Sequence, residues 1–181
     1  GKATNSDGEL VANSYAGGEL TADFGAVNAT AGYYNFKDIG LKDSGTDNAI
    51  WFVGAGTTFG DFGLNAMYLK GDASTKAGDL NEGDDGWTAG LTYKGAEAAE
   101  KGTWGLFANY YDQGLQTYLA HTTDAETFRG MGFKGYGVGA NYTVAKNMVA
   151  TVAYYDTEAK YHPGYKKPEA KIIWTDLTFT F

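Results

Sequence analysis

The chain ends in the stretch Trp174-Thr175-Asp176-Leu177-Thr178-Phe179-Thr180-Phe181, in which apolar and polar side chains alternate one by one to the last residue. A repeat of two residues is the period of a β-strand, because successive side chains of an extended chain point to opposite sides. Leu177, Phe179 and Phe181 share the apolar side, so the terminal residue still belongs to the strand pattern. The stretch therefore predicts a closing β-strand with one apolar and one polar side.

The same alternation recurs upstream in short runs that are separated by turn-forming residues. A weaker run at Glu9–Tyr15 would turn at Gly17-Gly18 and make a tenth strand. We expect residues 1–17 to form an N-terminal segment or an extracellular loop, and residues 18–181 to form the strands. About nine clear runs are predicted, near residues 18–24, 27–36, 48–59, 62–71, 86–95, 102–112, 134–145, 147–158 and 170–181.

The composition agrees with an all-β chain. Among the 181 residues, Gly (27), Tyr (14) and Phe (10) are abundant and Pro (2) is rare. Glycine is unfavourable inside helices, whereas aromatic side chains favour the pleated surface of a sheet. The absence of Cys excludes disulfides and thiolate chemistry, and the net charge of −8 argues against a nucleic-acid-binding protein. No apolar run is long enough for a membrane-spanning helix.

The two sides of the predicted strands differ in an unusual way. The apolar side begins and ends with aromatic residues, which is typical of the girdles that a membrane barrel places at its two interfaces. The other side carries small neutral residues, which suit a wall facing confined water. The predicted girdle residues are Tyr33, Phe62, Tyr68, Trp87, Tyr93, Trp104, Tyr110, Tyr136 and Tyr142. The predicted pore-lining residues are Glu19, Asp23, Asn28, Asn65, Thr88, Thr92, Lys94, Asn109, Asn141 and Asp176.

The connections between the runs alternate in length. Short ones fall at Gly25-Ala26, Gly60-Asp61 and Ala145-Lys146-Asn147, and the link between residues 95 and 102 is intermediate. Short turns on one side and long loops on the other predict an oriented barrel with periplasmic turns and external loops. The long loops are predicted near residues 37–48, 72–86, 113–133 and 159–169.

From Gly18 onward the chain resembles the C-terminal portion of a bacterial outer-membrane porin. The Gly/Tyr-rich strands and the ending from Ile173 to Phe181 are similar to those of porins that carry an N-terminal S-layer-homology domain. The resemblance implies a transmembrane antiparallel up-and-down β-barrel of about 16 strands in the cell outer membrane of a diderm bacterium. It implies passive diffusion of small hydrophilic solutes and ions through a water-filled channel. It also implies a homotrimer in contact with lipid and lipopolysaccharide, and a Phe181 that the assembly machinery recognises.

Three alternatives remain at the level of the sequence. The chain is either a complete barrel of about ten strands or the C-terminal part of a larger one, and the small neutral inner residues favour the larger barrel. A structural, anchoring or adhesive outer-membrane barrel without an open pore is the alternative function. A soluble β-sandwich or meander is the alternative fold, since its strands also alternate.

Catalysis and metal binding are not predicted, and no cofactor is expected. The two histidines, His121 and His162, lie in predicted loops, and no serine lies near His121. The stretch Asp79–Gly86 is rich in carboxylates but lacks the ligand spacing of an EF-hand, so we interpret it as a solvated acidic loop. The excess of acidic residues predicts a mild preference for cations.

Overall fold

The computed structural model describes residues 3–4, 10–39, 45–75, 78–79, 83–119, 125, 128, 131–160 and 167–181. Within these ranges the regular secondary structure is eleven strands, nine of them 10–14 residues long, and no helix. The strands are β1 (Ala3–Thr4), β2 (Leu10–Asp23), β3 (Val27–Ile39), β4 (Asp47–Phe59), β5 (Phe62–Thr75), β6 (Gly78–Asp79), β7 (Asp85–Gly95), β8 (Trp104–Gln113), β9 (Phe133–Ala145), β10 (Met148–Ala159) and β11 (Glu169–Phe179).

All of the strands belong to one antiparallel sheet in which each long strand lies beside the one before it. The order is β1-β2-β3-β4-β5-β7-β8-β9-β10-β11, and β6 pairs with the end of β5. This confirms the prediction of an all-β, up-and-down antiparallel chain. Among the described residues no backbone pairing joins β11 to β1 or β2, so the described part of the sheet is not closed.

Strand β2 is longer than the sequence pattern predicts. It runs without a break through Gly17 and Gly18, which lie opposite Tyr34 and Tyr33 of β3. A Cβ on Gly17 would collide with the backbone and ring of Tyr34, so this glycine makes room for a neighbouring strand and does not form a turn. The predicted turn at Gly17-Gly18 and the separate tenth strand are therefore wrong. From Leu10 onward the predicted N-terminal segment belongs to the sheet, and residues 5–9 lie outside the described ranges.

The connections give the sheet two different ends. Short connections at residues 24–26, 60–61, 96–103 and 146–147 define the turn end, and Gly25, Gly60 and Asn147 have the positive φ that tight turns require. The long connections define the loop end, as predicted. Strands β3, β4 and β5 extend into the predicted loops 37–48 and 72–86, because backbone pairing continues past the first charged side chains, as the pairing of Asp47 with Ser74 shows.

Candidate functional site: the glycine-rich face of the sheet

The two faces of the sheet carry different residues. One face, here called the apolar face, exposes large hydrophobic side chains, and Trp87, Leu106 and Val138 each keep 42–47% of their surface exposed. Alternation places the small residues, such as Gly90 and Thr92, on the opposite face, here called the glycine-rich face. Soluble monomers rarely expose large apolar patches, and such patches mark surfaces that contact protein or membrane.

Aromatic rings border the apolar face at both ends. In the row at the turn end the ring centroids of Phe62 and Tyr93 are 4.8 Å apart, and those of Tyr93 and Trp104 are 5.8 Å apart. In the row at the loop end the centroids of Trp87 and Tyr110 are 5.1 Å apart. The predicted girdle residues fall in these rows, with Tyr33, Tyr68, Trp87, Tyr110 and Tyr136 at the loop end and Phe62, Tyr93, Trp104 and Tyr142 at the turn end. Trp51, Phe59 and Tyr154 also belong to the rows. The prediction omitted them, although the same alternation in the sequence places them on the apolar face.

Beyond the aromatic row at the loop end, the apolar face carries a belt of ion pairs. The ammonium of Lys70 donates a hydrogen bond to Asp84, which precedes β7, and this bond holds the pKa of Asp84 below its ordinary value. Exposed pairs of this kind contribute little stability each. The informative feature of the belt is its position at the loop end of the apolar face. The pairs are Lys37–Asp47, Lys70–Asp84, Lys134–Glu158, Lys160–Asp112 and Lys171–Asp156.

The predicted pore-lining residues lie on the glycine-rich face, with one exception. Lys94 has a φ of 56°, and its Nζ lies 5.0 Å from the ring centroid of Trp104 and 5.5 Å from that of Tyr93. The left-handed backbone takes Lys94 out of the alternation, and its ammonium lies over rings of the apolar face. Its assignment to the lining is therefore corrected. The residues that strand register places on the glycine-rich face are Glu19, Asp23, Asn28, Asn65, Thr88, Thr92, Asn109, Asn141 and Asp176.

A row across this face explains why glycine is so frequent. Asparagines and glycines alternate from strand to strand along the hydrogen-bonding direction, so each amide lies beside a glycine. A Cβ on Gly90 would lie 2.8 Å from the amide of Asn65 and 2.5 Å from that of Asn109. Because the glycines have no Cβ, they leave space that the neighbouring side chains occupy. The row is Asn28, Gly56, Asn65, Gly90, Asn109 and Gly137.

The first part of the connection between β8 and β9 folds over the glycine-rich face. We call residues 114–119 the inward segment. Its Gln116 is 1% exposed, and the Gln116 carbonyl accepts a hydrogen bond of 2.7 Å from the amide of Asn48. The Gln116 side-chain oxygen accepts a second bond of 2.8 Å from the backbone N–H of Ala73. Glycines again provide the space, since a Cβ on Gly71 would collide with Gln116.

Ala125 and Phe128 of the same connection pack on the glycine-rich face of β9 and β10. Phe128 lies in a cluster with Phe133, which is fully buried, and Tyr155, which is 7% exposed. The ring of Tyr118 meets Phe133 edge-on at 5.3 Å. The sequence predicted residues 113–133 only as a long loop, and it missed this packing because the segment has no periodic apolar pattern.

The predicted small and neutral lining is wrong in one further respect. Tyr34, Phe36 and Phe52 lie on the glycine-rich face of β3 and β4, in line with Gly32 and Gly54. The alternation in the sequence already predicts this face for them, because each lies an even number of residues from a glycine of the same strand. The glycine-rich face thus carries amides, hydroxyls and aromatic rings together.

Two groups of residues considered from the sequence are not positioned by the structure. His121, His162 and residues 80–82 of the acidic stretch lie outside the described ranges.

Among the described residues, no helix is long and apolar enough to cross a membrane. A scan against protein-family models finds no match to this chain, and a search of curated proteins finds no significant similarity.

Proposed function

We propose that this chain forms part of the wall of a transmembrane β-barrel channel in the outer membrane of a diderm bacterium, for the passive diffusion of small hydrophilic solutes and ions. The observation that carries the proposal is the separation of the two faces. Leu91 and Leu106 project from one face among aromatic borders, whereas Asn65, Thr92 and Asn109 project from the other. A lipid-facing wall with a polar interior requires this separation.

The unclosed sheet supports a barrel with further strands. A strand edge exposed to lipid leaves backbone groups without partners, at a cost of several kcal/mol each. Because β2 and β11 are the first and last of the nine long strands in an antiparallel series, they run in the same direction. An all-antiparallel closure therefore needs an odd number of strands between them, and β1, which pairs with β2, belongs to one of these. A barrel of about 16 strands meets this condition, since it would add about seven.

The borders of the apolar face suggest how the barrel sits in the membrane. The aromatic rows would lie at the headgroup level, and the belt of ion pairs at the loop end would meet the lipopolysaccharide head groups. Assembly through recognition of Phe181 and a homotrimeric state are part of the same proposal. In this arrangement the inward segment at residues 114–119 narrows the channel from the loop end.

The alternative function, an anchoring or structural barrel without an open pore, is favoured by a different observation. The cluster around Phe128, Phe133 and Tyr155 fills the glycine-rich face in front of β9 and β10. If such packing continued across the whole interior, the barrel would be closed to solutes. Conductance separates the two functions.

Two neighbouring substitutions in β7 make a matched test in planar bilayers. Leu91 projects from the apolar face and Thr92 from the glycine-rich face. The refolded wild-type protein should open stepwise ion-conducting channels. Leu91→Arg should reduce insertion, because a cation facing the bilayer core costs about 2–4 kcal/mol. Thr92→Arg should insert normally and alter single-channel conductance. Insertion without any conductance would support the anchoring function, and equal insertion of both variants would contradict the assignment of the faces.

A further inference from the structure

Four aromatic side chains lie next to one another on the glycine-rich face of β2, β3 and β4. The ring centroids of Tyr15 and Phe36 are 6.0 Å apart, and Tyr34 lies 6.3 Å from both Phe36 and Phe52. The planes of the contacting rings differ by 8–28°. The rings therefore face in nearly one direction, and we call them the aromatic platform.

Glycines on the neighbouring strands hold the platform close to the sheet. A Cβ on Gly17 would collide with the ring of Tyr34, and one on Gly32 would collide with the ring of Phe52. A ring seated over a glycine is fixed in orientation, because the backbone lies against one of its faces. The other face of the ring is directed toward the space in front of the wall.

The platform differs from the second group of rings on the same face. Phe107 also lies over a glycine, Gly139, but it packs against the buried cluster around Phe133 and Tyr155. The platform rings are half-buried, and Tyr15 keeps 39% of its surface exposed. Phe107 is half-buried as well, so exposure does not separate the two groups. The difference is that Phe107 packs on the buried cluster, whereas the platform rings lie outside it.

Polar groups border the platform along the wall. Glu19 lies opposite Gly32 and beside Phe52, and the next row toward the turn end carries the hydroxyls of Thr21 and Thr30, 3.4 Å apart. On the other side Phe36 is paired with Asn48, whose amide holds the inward segment. A solute that passes the inward segment along this wall would meet ring faces first and carboxylate, amide and hydroxyl groups next.

We propose that the aromatic platform binds pyranose sugars. A pyranose ring has a face of C–H groups that packs on an aromatic ring, and its edge carries hydroxyls that need hydrogen-bond acceptors and donors. The platform supplies the flat apolar surface, and Glu19 with the threonine pair supplies polar partners at its border. Purely apolar solutes would leave this border unpaired. The role of the platform in uptake rests on the proposed channel function, but binding itself does not.

The test uses maltotriose as the probe and sorbitol, which has hydroxyls but no ring, as its control. Calorimetric titration of the full chain refolded in detergent micelles should show binding of maltotriose and none of sorbitol. Phe52→Leu and Phe36→Leu keep apolar volume but remove a ring face, so each should weaken binding about fivefold. Phe107→Leu, on the loop-packed side, should leave binding unchanged.

Each outcome decides between the two proposals. Ion conductance with neither binding of maltotriose nor block of the current would overturn the platform and leave the channel intact. Binding that the platform variants weaken, in a protein that conducts no ions, would support the platform and refute the channel. Equal binding of sorbitol, or equal weakening by Phe107→Leu, would also overturn the platform.

Discussion

At the scale of single residues, glycine shapes the glycine-rich face because it lacks a side chain. Gly90 leaves space for the amides of Asn65 and Asn109, and Gly32 leaves space for the ring of Phe52. The sequence pattern showed that glycine alternates with apolar residues along each strand, and this was enough to place it on the polar face. It did not show that glycine also alternates with larger residues across the strands, because that relation depends on register.

This role predicts the effect of adding a side chain at one glycine of the row. Gly90→Val should destabilise the protein by about 1–3 kcal/mol, because the new methyl groups would overlap the amides on both neighbouring strands. Gly18→Val is the matched control, since a Cβ on Gly18 meets no atom within 4 Å. It should change stability by less than about 0.5 kcal/mol. Urea unfolding in detergent micelles measures the free energy of unfolding of both variants. Equal losses of stability would refute the inference that Gly90 makes room for the neighbouring amides.

At the scale of elements, the strands could be predicted and the inward segment could not. A strand reveals itself through a period of two, which is a local property of the sequence. The segment from Gly114 to Leu119 is held by contacts with residues far away in the chain, such as Asn48 and Gly71. Only the folded sheet brings these partners together. The continuity of β2 through Gly17 and Gly18 was missed for the same reason.

Asn48 should control the position of the inward segment. Asn48→Ala removes the bond to the Gln116 carbonyl and leaves buried polar groups unpaired, which should cost about 1–3 kcal/mol of stability. If the segment narrows the channel, single-channel conductance should rise and become noisier. Asn65→Ala, on the same face but exposed, is the control and should change neither quantity as much. An unchanged current in Asn48→Ala would show that the segment does not limit the channel.

At the scale of the whole molecule, the proposed function depends on the orientation of the sheet between lipid and water. Three of the four tryptophans, Trp51, Trp87 and Trp104, lie on the apolar face, and Trp174 of β11 lies on the other face in register with Ala153. The sequence established the alternation of the faces, but the pairing of the strands aligned the aromatic residues into two rows.

Single-tryptophan variants can measure this orientation in vesicles. With the other three residues replaced by Phe, brominated lipids should quench the fluorescence of Trp51, Trp87 or Trp104, because each lies at the edge of the apolar band. Trp174 should be quenched weakly by these lipids and strongly by a water-soluble quencher such as acrylamide. Strong lipid quenching of Trp174 alone would invert the proposed orientation.

The charges of the strands predict ion selectivity. Glu19, Asp23 and Asp176 lie on the glycine-rich face, whereas Lys37 and Lys70 are engaged in ion pairs on the opposite side. The described part of this wall should therefore favour cations, in agreement with the preference predicted from the overall charge.

Neutralising this wall tests the preference. The double variant Glu19→Gln with Asp23→Asn should lower the cation-to-anion permeability ratio about twofold, measured by the reversal potential in a salt gradient. Asp85→Asn, on the apolar face at the loop end, is the control and should leave the ratio nearly unchanged. Anion selectivity in the wild-type channel would contradict the assignment.

The sequence by itself determined the strands other than the N-terminal part of β2, the alternation of apolar and polar side chains along them, and the end of the sheet at which the long loops lie. These features follow from backbone geometry and turn chemistry, which act over a few residues. The tertiary structure decided which side chains meet across strands, that Lys94 turns to the rings of Tyr93 and Trp104, and that residues 114–119 fold onto the wall. Those features depend on register and on long-range packing, which no local pattern of residues encodes.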